Sequence, residues 1–99
     1  MGEEAVAALP EVRLQHLRGE IERIDRALVE TLAERVRMAR QVGAAKRELG
    51  LPTLDPAREA FIVRRASQLA REAGVHEEDV RYIFWQIIGM ARRAQQEDG

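Results

Sequence analysis

One apolar stripe, running almost unbroken from Pro10 to Gly50, constrains this chain more than anything else in it. Leu14, Leu17, Ile21, Ile24, Leu28 and Leu32 recur at steps of three and four, and the pattern continues through Ala39 and Val42. That spacing places them on one face of an α-helix of about ten turns. Gly19 and Gly43 fall inside it, each costing up to about 1 kcal/mol relative to alanine, too little to outweigh the pattern. About 37 residues at 1.5 Å each extend roughly 55 Å, whereas a compact chain of this size has a radius of gyration of about 13 Å. Such a helix overshoots a single globule.

Prolines mark the remaining boundaries. The stretch from Gly50 to Pro56 ends the first helix, read as about residues 12–49, and starts the second, about 56–73, with Asp55 as N-cap and Pro56 in the first helical position. Ile62, Ala66, Leu69 and Ala73 form the expected inward face of helix two, which stops at Gly74. The third helix, about 77–96, opens with acidic residues and turns Val80, Ile83, Phe84, Ile87, Ile88 and Ala91 inward. Residues 1–11 read as a flexible N-terminus. The expected class is all-α, three helices with one very long N-terminal helix, forming a single domain over residues 1–99. Helices two and three, at roughly 25–30 Å each, cover only part of the long stripe. A second copy of the chain covers the rest most simply, which predicts an intertwined homodimeric helical bundle. A bent first helix or an extended monomeric hairpin are the alternatives.

Composition excludes several function classes. A net charge of −1 lacks the basic balance of a nucleic-acid surface. There is no Cys for a disulfide or thiolate metal site. No apolar run reaches the roughly 20 residues of a membrane span, and no secretory signature opens the chain. A cytoplasmic protein is expected. Absent Cys and Asn with abundant Arg and Glu suit a thermophile, although a GC-rich genome explains the arginines equally well.

Function should show where polar groups break the apolar faces. Lys46 is the only lysine among sixteen basic residues, so its site is a candidate for needing a compact ammonium where a planar guanidinium will not serve. It follows Val42 by four, and Arg35 follows Leu32 by three on the same stripe. Arg58 precedes Ile62 by four, and Gln95 follows Ala91 by four. The bland alternative is that all lie near helix ends and reach water, with arginines paired to glutamates. Together, however, three cations and one amide from three helices converge on the bundle. Cations in a core without matching carboxylates await an anion. The ligand so inferred is small, multiply negative and partly apolar. His16 and His76 are isolated and read as surface residues. No nucleophile–base pair, glycine-rich phosphate loop or metal-ligand spacing occurs, so an enzyme of this kind would work by orientation and electrostatics.

These residues resemble the all-helical (AroQ-type) chorismate mutases. The matching stretches are Leu17-Arg18-Gly19-Glu20-Ile21 with Asp25, Leu32-Ala33-Glu34-Arg35, Val42-Gly43-Ala44-Ala45-Lys46, Asp55-Pro56-Ala57-Arg58-Glu59, and Ile83-Phe84 through Gln95. The Asp-Pro-x-Arg-Glu form is most similar to mutase domains fused to the N-terminus of DAHP synthase, a possible domain neighbour or partner. The resemblance implies conversion of chorismate to prephenate in aromatic amino acid biosynthesis, a Claisen rearrangement with no cofactor, metal or covalent intermediate. It implies that Arg35, together with Arg18 from the other subunit, clamps the substrate carboxylates, while Lys46 and Gln95 donate to the ether oxygen. Asp55 backbone and Glu59 would hold the ring hydroxyl, although capping is the main role expected of Asp55. Arg58 would add positive potential, and Ala39, Val42 and Ile88 would wall the ring, unless they are plain core. Arg18 and Arg35, seventeen residues apart, lie about 260° apart around a straight helix, which agrees with contributions from two copies. One departure is Ala91, where many relatives carry a serine. Trp85 falls off the inward stripe. Two other readings compete: an isochorismate–pyruvate lyase, and a prephenate- or chorismate-binding regulatory domain of DAHP synthase or plain dimerisation unit.

Overall fold

Pro10 opens the first helix rather than preceding it. In a computed structural model that describes Gly2 and residues 9–97, α1 runs over Pro10–Leu49, α2 over Pro56–Ala73 and α3 over Glu77–Gln96. The expected start near residue 12 is therefore two residues late, because proline lacks only an N–H that no first-turn residue bonds within the helix. Of the segment read as flexible, Pro10 and Glu11 are helical, while residues 1 and 3–8 lie outside the described residues. Among the described residues there is no strand.

The chain divides into two units, Met1–Glu34 and Arg35–Gly99. In the first, the described residues belong almost wholly to α1. Its apolar stripe is uncovered within one chain: Leu14, Leu17, Ile21, Ile24 and Leu28 are all exposed, Leu28 to 58%. An apolar face of this size is unusual on a finished monomer.

The second unit holds the core. The end of α1 is closed by Gly50 at φ 69°, with Leu51 N–H donating to Lys46 O at 2.8 Å and Gly50 N–H to Arg47 O at 3.2 Å. This is a left-handed helix end that only glycine adopts without strain. Gly74 ends α2 in the same way, at φ 74°. Asp55 caps α2 as expected, its Oδ1 accepting from Arg58 N–H at 3.1 Å. Helices α2 and α3 pack as an antiparallel pair, because Arg71 meets Glu77, Ser67 meets Arg81, and Glu59 meets Arg92. The buried residues between them are Ala66, Ser67, Ala70, Ile88 and Ala94.

Two inward faces thus differ from those expected. On α2 the buried line runs through Ala66, Ser67 and Ala70, whereas Leu69 and Ala73 are exposed. Small side chains let two helices approach closely, and the larger Leu69 is turned aside. On α3, Ile83 is also exposed within the chain. Trp85 is exposed as well, in keeping with its place off the stripe.

Candidate active site

The polar breaks of the second unit open on one cavity. Arg35, Lys46, Asp55, Arg58, Glu59 and Gln95 all line a space of about 250 Å³, walled by Met38, Ala39, Val42, Ile62, Ile88 and Ala91. That volume sits at the small end of ligand pockets. His16 and His76 are exposed, as expected, and are not among its lining residues. Arg18 belongs to the first unit, is exposed, and is not among the lining residues.

Lys46 is placed by the turn that follows it. Ending α1 at Gly50 folds the chain back so that Lys46 Nζ donates to Thr53 O at 2.7 Å. A second proton goes to Gln95 Oε1, also at 2.7 Å. An ammonium has three donors, so one is left for a ligand. The contact also settles which way the amide faces. An ammonium demands an oxygen, so Gln95 Oε1 meets Lys46 and the Nε2 donors are turned away from it. The cavity therefore carries an ammonium and an amide as adjacent donors.

Gln95 in turn is held by its backbone. Arg47 Nη1 donates to Gln95 O at 2.8 Å, and Arg40 pairs with Glu97 at 2.5 Å. Gly43 lets α1 come this close: a Cβ there would stand 2.7 Å from Gln95 Cα and nearer still to its carbonyl oxygen. In the sequence Gly43 counted only as a helix defect. The compensating contact was not legible, but an unexplained glycine inside a strong helix is itself a signal of close approach.

Charge in the cavity is unbalanced. Four cations line it (Arg35, Lys46, Arg58 and Arg92) against two carboxylates, Asp55 and Glu59, leaving a net excess of two positive charges. Burial, and then the nearby Arg58 charge, lower the pKa of Arg35 from its ordinary value, so its guanidinium is short of counter-charge. Arg58 lies over the Phe61 ring at 4.8 Å from its centre, a cation–π contact that does not neutralise it. Glu59 accepts from Arg92 Nε at 2.7 Å and from Arg92 Nη2 in a bidentate pair. That hydrogen bond is the main cause holding the Glu59 carboxyl below its usual range. Burial opposes it, the Arg92 and Lys46 charges reinforce it, and Asp55 pushes the other way.

Arg92, Thr53 and Met38 were missed by sequence reasoning. Arg92 follows Ile88 by four, so the rule that selected Gln95 could have selected it. Thr53 acts through its carbonyl, which no side-chain pattern reveals. No group of three or more His, Asp or Glu suited to a metal ion occurs among the described residues.

The family model described as "Chorismate mutase type II" matches residues 17–96. A chorismate mutase of Methanocaldococcus jannaschii is 34% identical over 76 residues, covering 77% of this chain and 76% of that protein. A 4-amino-4-deoxychorismate mutase of Streptomyces venezuelae is 30% identical over 75 residues, covering 76% of this chain and 73% of that protein. Among solved structures, a conserved hypothetical protein from Pyrococcus furiosus superposes with a TM-score of 0.70 at 32% identity, over 85% of this chain and 96% of that one.

Proposed function

The chain belongs to the chorismate mutase type II family, and we propose on that footing how its cavity rearranges chorismate to prephenate. Chorismate is a compact dicarboxylate with an apolar ring. The observation that carries the reading is the cavity's excess of two positive charges around an apolar wall, with Lys46 and Gln95 joined at its edge.

The rearrangement needs a chair-like conformer and builds negative charge on the breaking ether oxygen. Arg35 holds one carboxylate, and fixing the dianion against Ala39, Val42 and Ile88 selects the reactive conformer. The free proton of Lys46 and the Nε2 donors of Gln95 then meet the ether oxygen, where they stabilise charge that is stronger in the transition state than in the substrate. Glu59 and backbone near Asp55 receive the ring hydroxyl, and Arg58 adds positive potential. No covalent step is required.

The reading includes a homodimer in which Arg18 of one copy completes the clamp of the other. Support comes from the uncovered stripe between Leu14 and Leu28 and from the angular separation of Arg18 and Arg35 on α1. The form of Asp55-Pro56-Ala57-Arg58-Glu59 favours kinship with mutase domains joined to DAHP synthase, testable by co-sedimentation with that enzyme. No helix among the described residues is long and apolar enough to cross a membrane.

The test is turnover. The purified chain is incubated separately with chorismate, isochorismate and 4-amino-4-deoxychorismate. Loss of chorismate with formation of prephenate is expected. Salicylate and pyruvate from isochorismate, without prephenate from chorismate, would replace this reading with the lyase, and no turnover of any would leave a binding module.

A further inference from the structure

Arg92 has no part in the chemistry above, yet it lines the cavity and pairs with Glu59, the group assigned to the ring hydroxyl. Glu59 is nearly covered, its side chain 13% exposed, while Arg92 stands at the rim with 44% exposed. Of the two carboxylates in the lining, Asp55 is engaged by the Arg58 N–H at the start of α2. Glu59 is the carboxylate of the lining that is paired to a cation, and Arg92 holds it with a two-pronged contact.

We infer that Arg92 is a specificity-determining residue: by pairing with Glu59 it leaves that carboxylate able to accept a hydrogen bond but cancels its charge, so the site selects a ring bearing a neutral hydroxyl over one bearing an ammonium. This rests on the mutase reading above. Each carboxylate oxygen has two acceptor positions, and the fork of Arg92 uses one on each. A hydroxyl can still donate to Glu59. An ammonium in the same place faces Arg92, Lys46, Arg58 and Arg35 with only Asp55 and Glu59 to offset them. Rejection through like charge is a known route to selectivity. Removing Arg92 would free Glu59 to pair with an ammonium directly.

The pair also predicts a pH signature. The groups facing Glu59 are Arg92 on α3, Lys46 on α1, and Asp55 at the start of α2; burial, and then Asp55, disfavour its ionised form. Arg92 is the main one keeping Glu59 ionised. Without it, the carboxyl is held down less, and the acceptor is lost at a higher pH than in the wild type.

The experiment measures kcat/KM of the full chain for chorismate and for 4-amino-4-deoxychorismate, in wild type, Arg92→Leu and Arg92→Lys, from pH 4.5 to 8. Wild type should favour chorismate. Arg92→Leu should lower the chorismate-to-amino ratio about tenfold or more, as expected for lifting a like-charge clash, and should gain an acid limb absent from wild type. Arg92→Lys, which returns the charge without the fork, should recover most of the ratio. A merely structural role for Arg92 would lower both substrates together at every pH. An unchanged ratio in Arg92→Leu, a lysine variant no better than leucine, or a wild type preferring the amino substrate would each overturn the inference while leaving the mutase reading intact. A wild type inactive on both substrates would remove that reading and this inference with it. Helix content by circular dichroism confirms folding, which an exposed rim position should not disturb.

Discussion

Lys46 Nζ donates to Gln95 Oε1 at 2.7 Å, joining the last turn of α1 to the last turn of α3 across 49 residues of chain. This contact sets an ammonium and an amide side by side in the site. Substituting either residue by alanine should lower kcat by about 10²–10³, the range for losing one preorganised donor at a developing oxyanion. Lys46→Arg should not rescue it, because a planar fork cannot reach Thr53 O, Gln95 and the ligand as one point donor does. Steady-state kinetics on folded protein checks both. Near-normal kcat in Lys46→Ala would remove this pair from the mechanism.

Gly43→Ala should fail for a different reason. The added methyl meets the Gln95 backbone, so α1 and α3 must separate or the helix must shift. Overpacking of this kind costs about 1–3 kcal/mol. Denaturant melts should show that loss, and kcat should fall with it because Gln95 moves. Gly19→Ala, with nothing near its Cβ position within one chain, serves as the stabilising control if the position is also open in the assembled protein.

The helices and most of the site were legible in the sequence because periodicity and punctuation speak to the same boundaries. Asp55 and Pro56 combine a side-chain cap with a first-turn proline, and α2 starts where they place it. Arg35, Lys46, Arg58 and Gln95, singled out as charged or amide groups on apolar stripes, line one cavity. What escaped was short-range packing. Ala66 is buried as expected, but within the chain Ser67 and Ala70 are buried beside it while Leu69 is exposed. The carbonyl of Thr53 depends on where a loop returns, and Arg92 is held by a partner, Glu59, that lies 33 residues away in the chain.

The pH behaviour separates catalysis from stability. In the proposed mechanism Gln95 donates without a proton to lose, so kcat should stay flat from about pH 5 to 9, well outside the carboxylate range. A steep loss of kcat above neutrality would exclude Gln95 as a donor. Stability should show an acid limb instead. The Glu59 carboxyl is held low in the folded chain, chiefly by Arg92, so the unfolded chain binds its proton more readily. The resulting stabilisation is complete above about pH 4.3 and is lost as pH falls through the lower folded value. Glu59→Gln should flatten that limb in thermal melts taken between about pH 2 and 6.

Anions should stabilise the fold. Arg35 holds its charge against burial and against Arg58, and a bound dicarboxylate relieves both. A non-reacting dicarboxylate at about 100 times its Kd should add about 2.7 kcal/mol, read as a rise of several degrees in Tm. Arg35→Ala should abolish most of that rise at the same concentration. An equal rise in the variant would mean the anion binds elsewhere.

The proposed dimer rests on the same stripe that dominates the sequence. Ile21→Glu, at an exposed stripe position of α1, should give monomers in sedimentation analysis while helix content persists in the second unit. Activity should disappear with the dimer, since the clamp loses the partner copy's arginine. A fully active monomer would show that Arg18 has no part in the site.

Subunit mixing tests the shared clamp most directly. Arg18→Ala and Arg35→Ala, each nearly inactive alone, are refolded together in equal amounts. If each site takes Arg35 from one copy and Arg18 from the other, a mixed dimer has one intact site and one doubly defective site. Random pairing then restores about a quarter of wild-type activity, as the symmetry of a two-fold dimer requires. Activity no higher than the sum of the separate variants, in a mixture shown to contain mixed dimers, would contradict a site built from two chains.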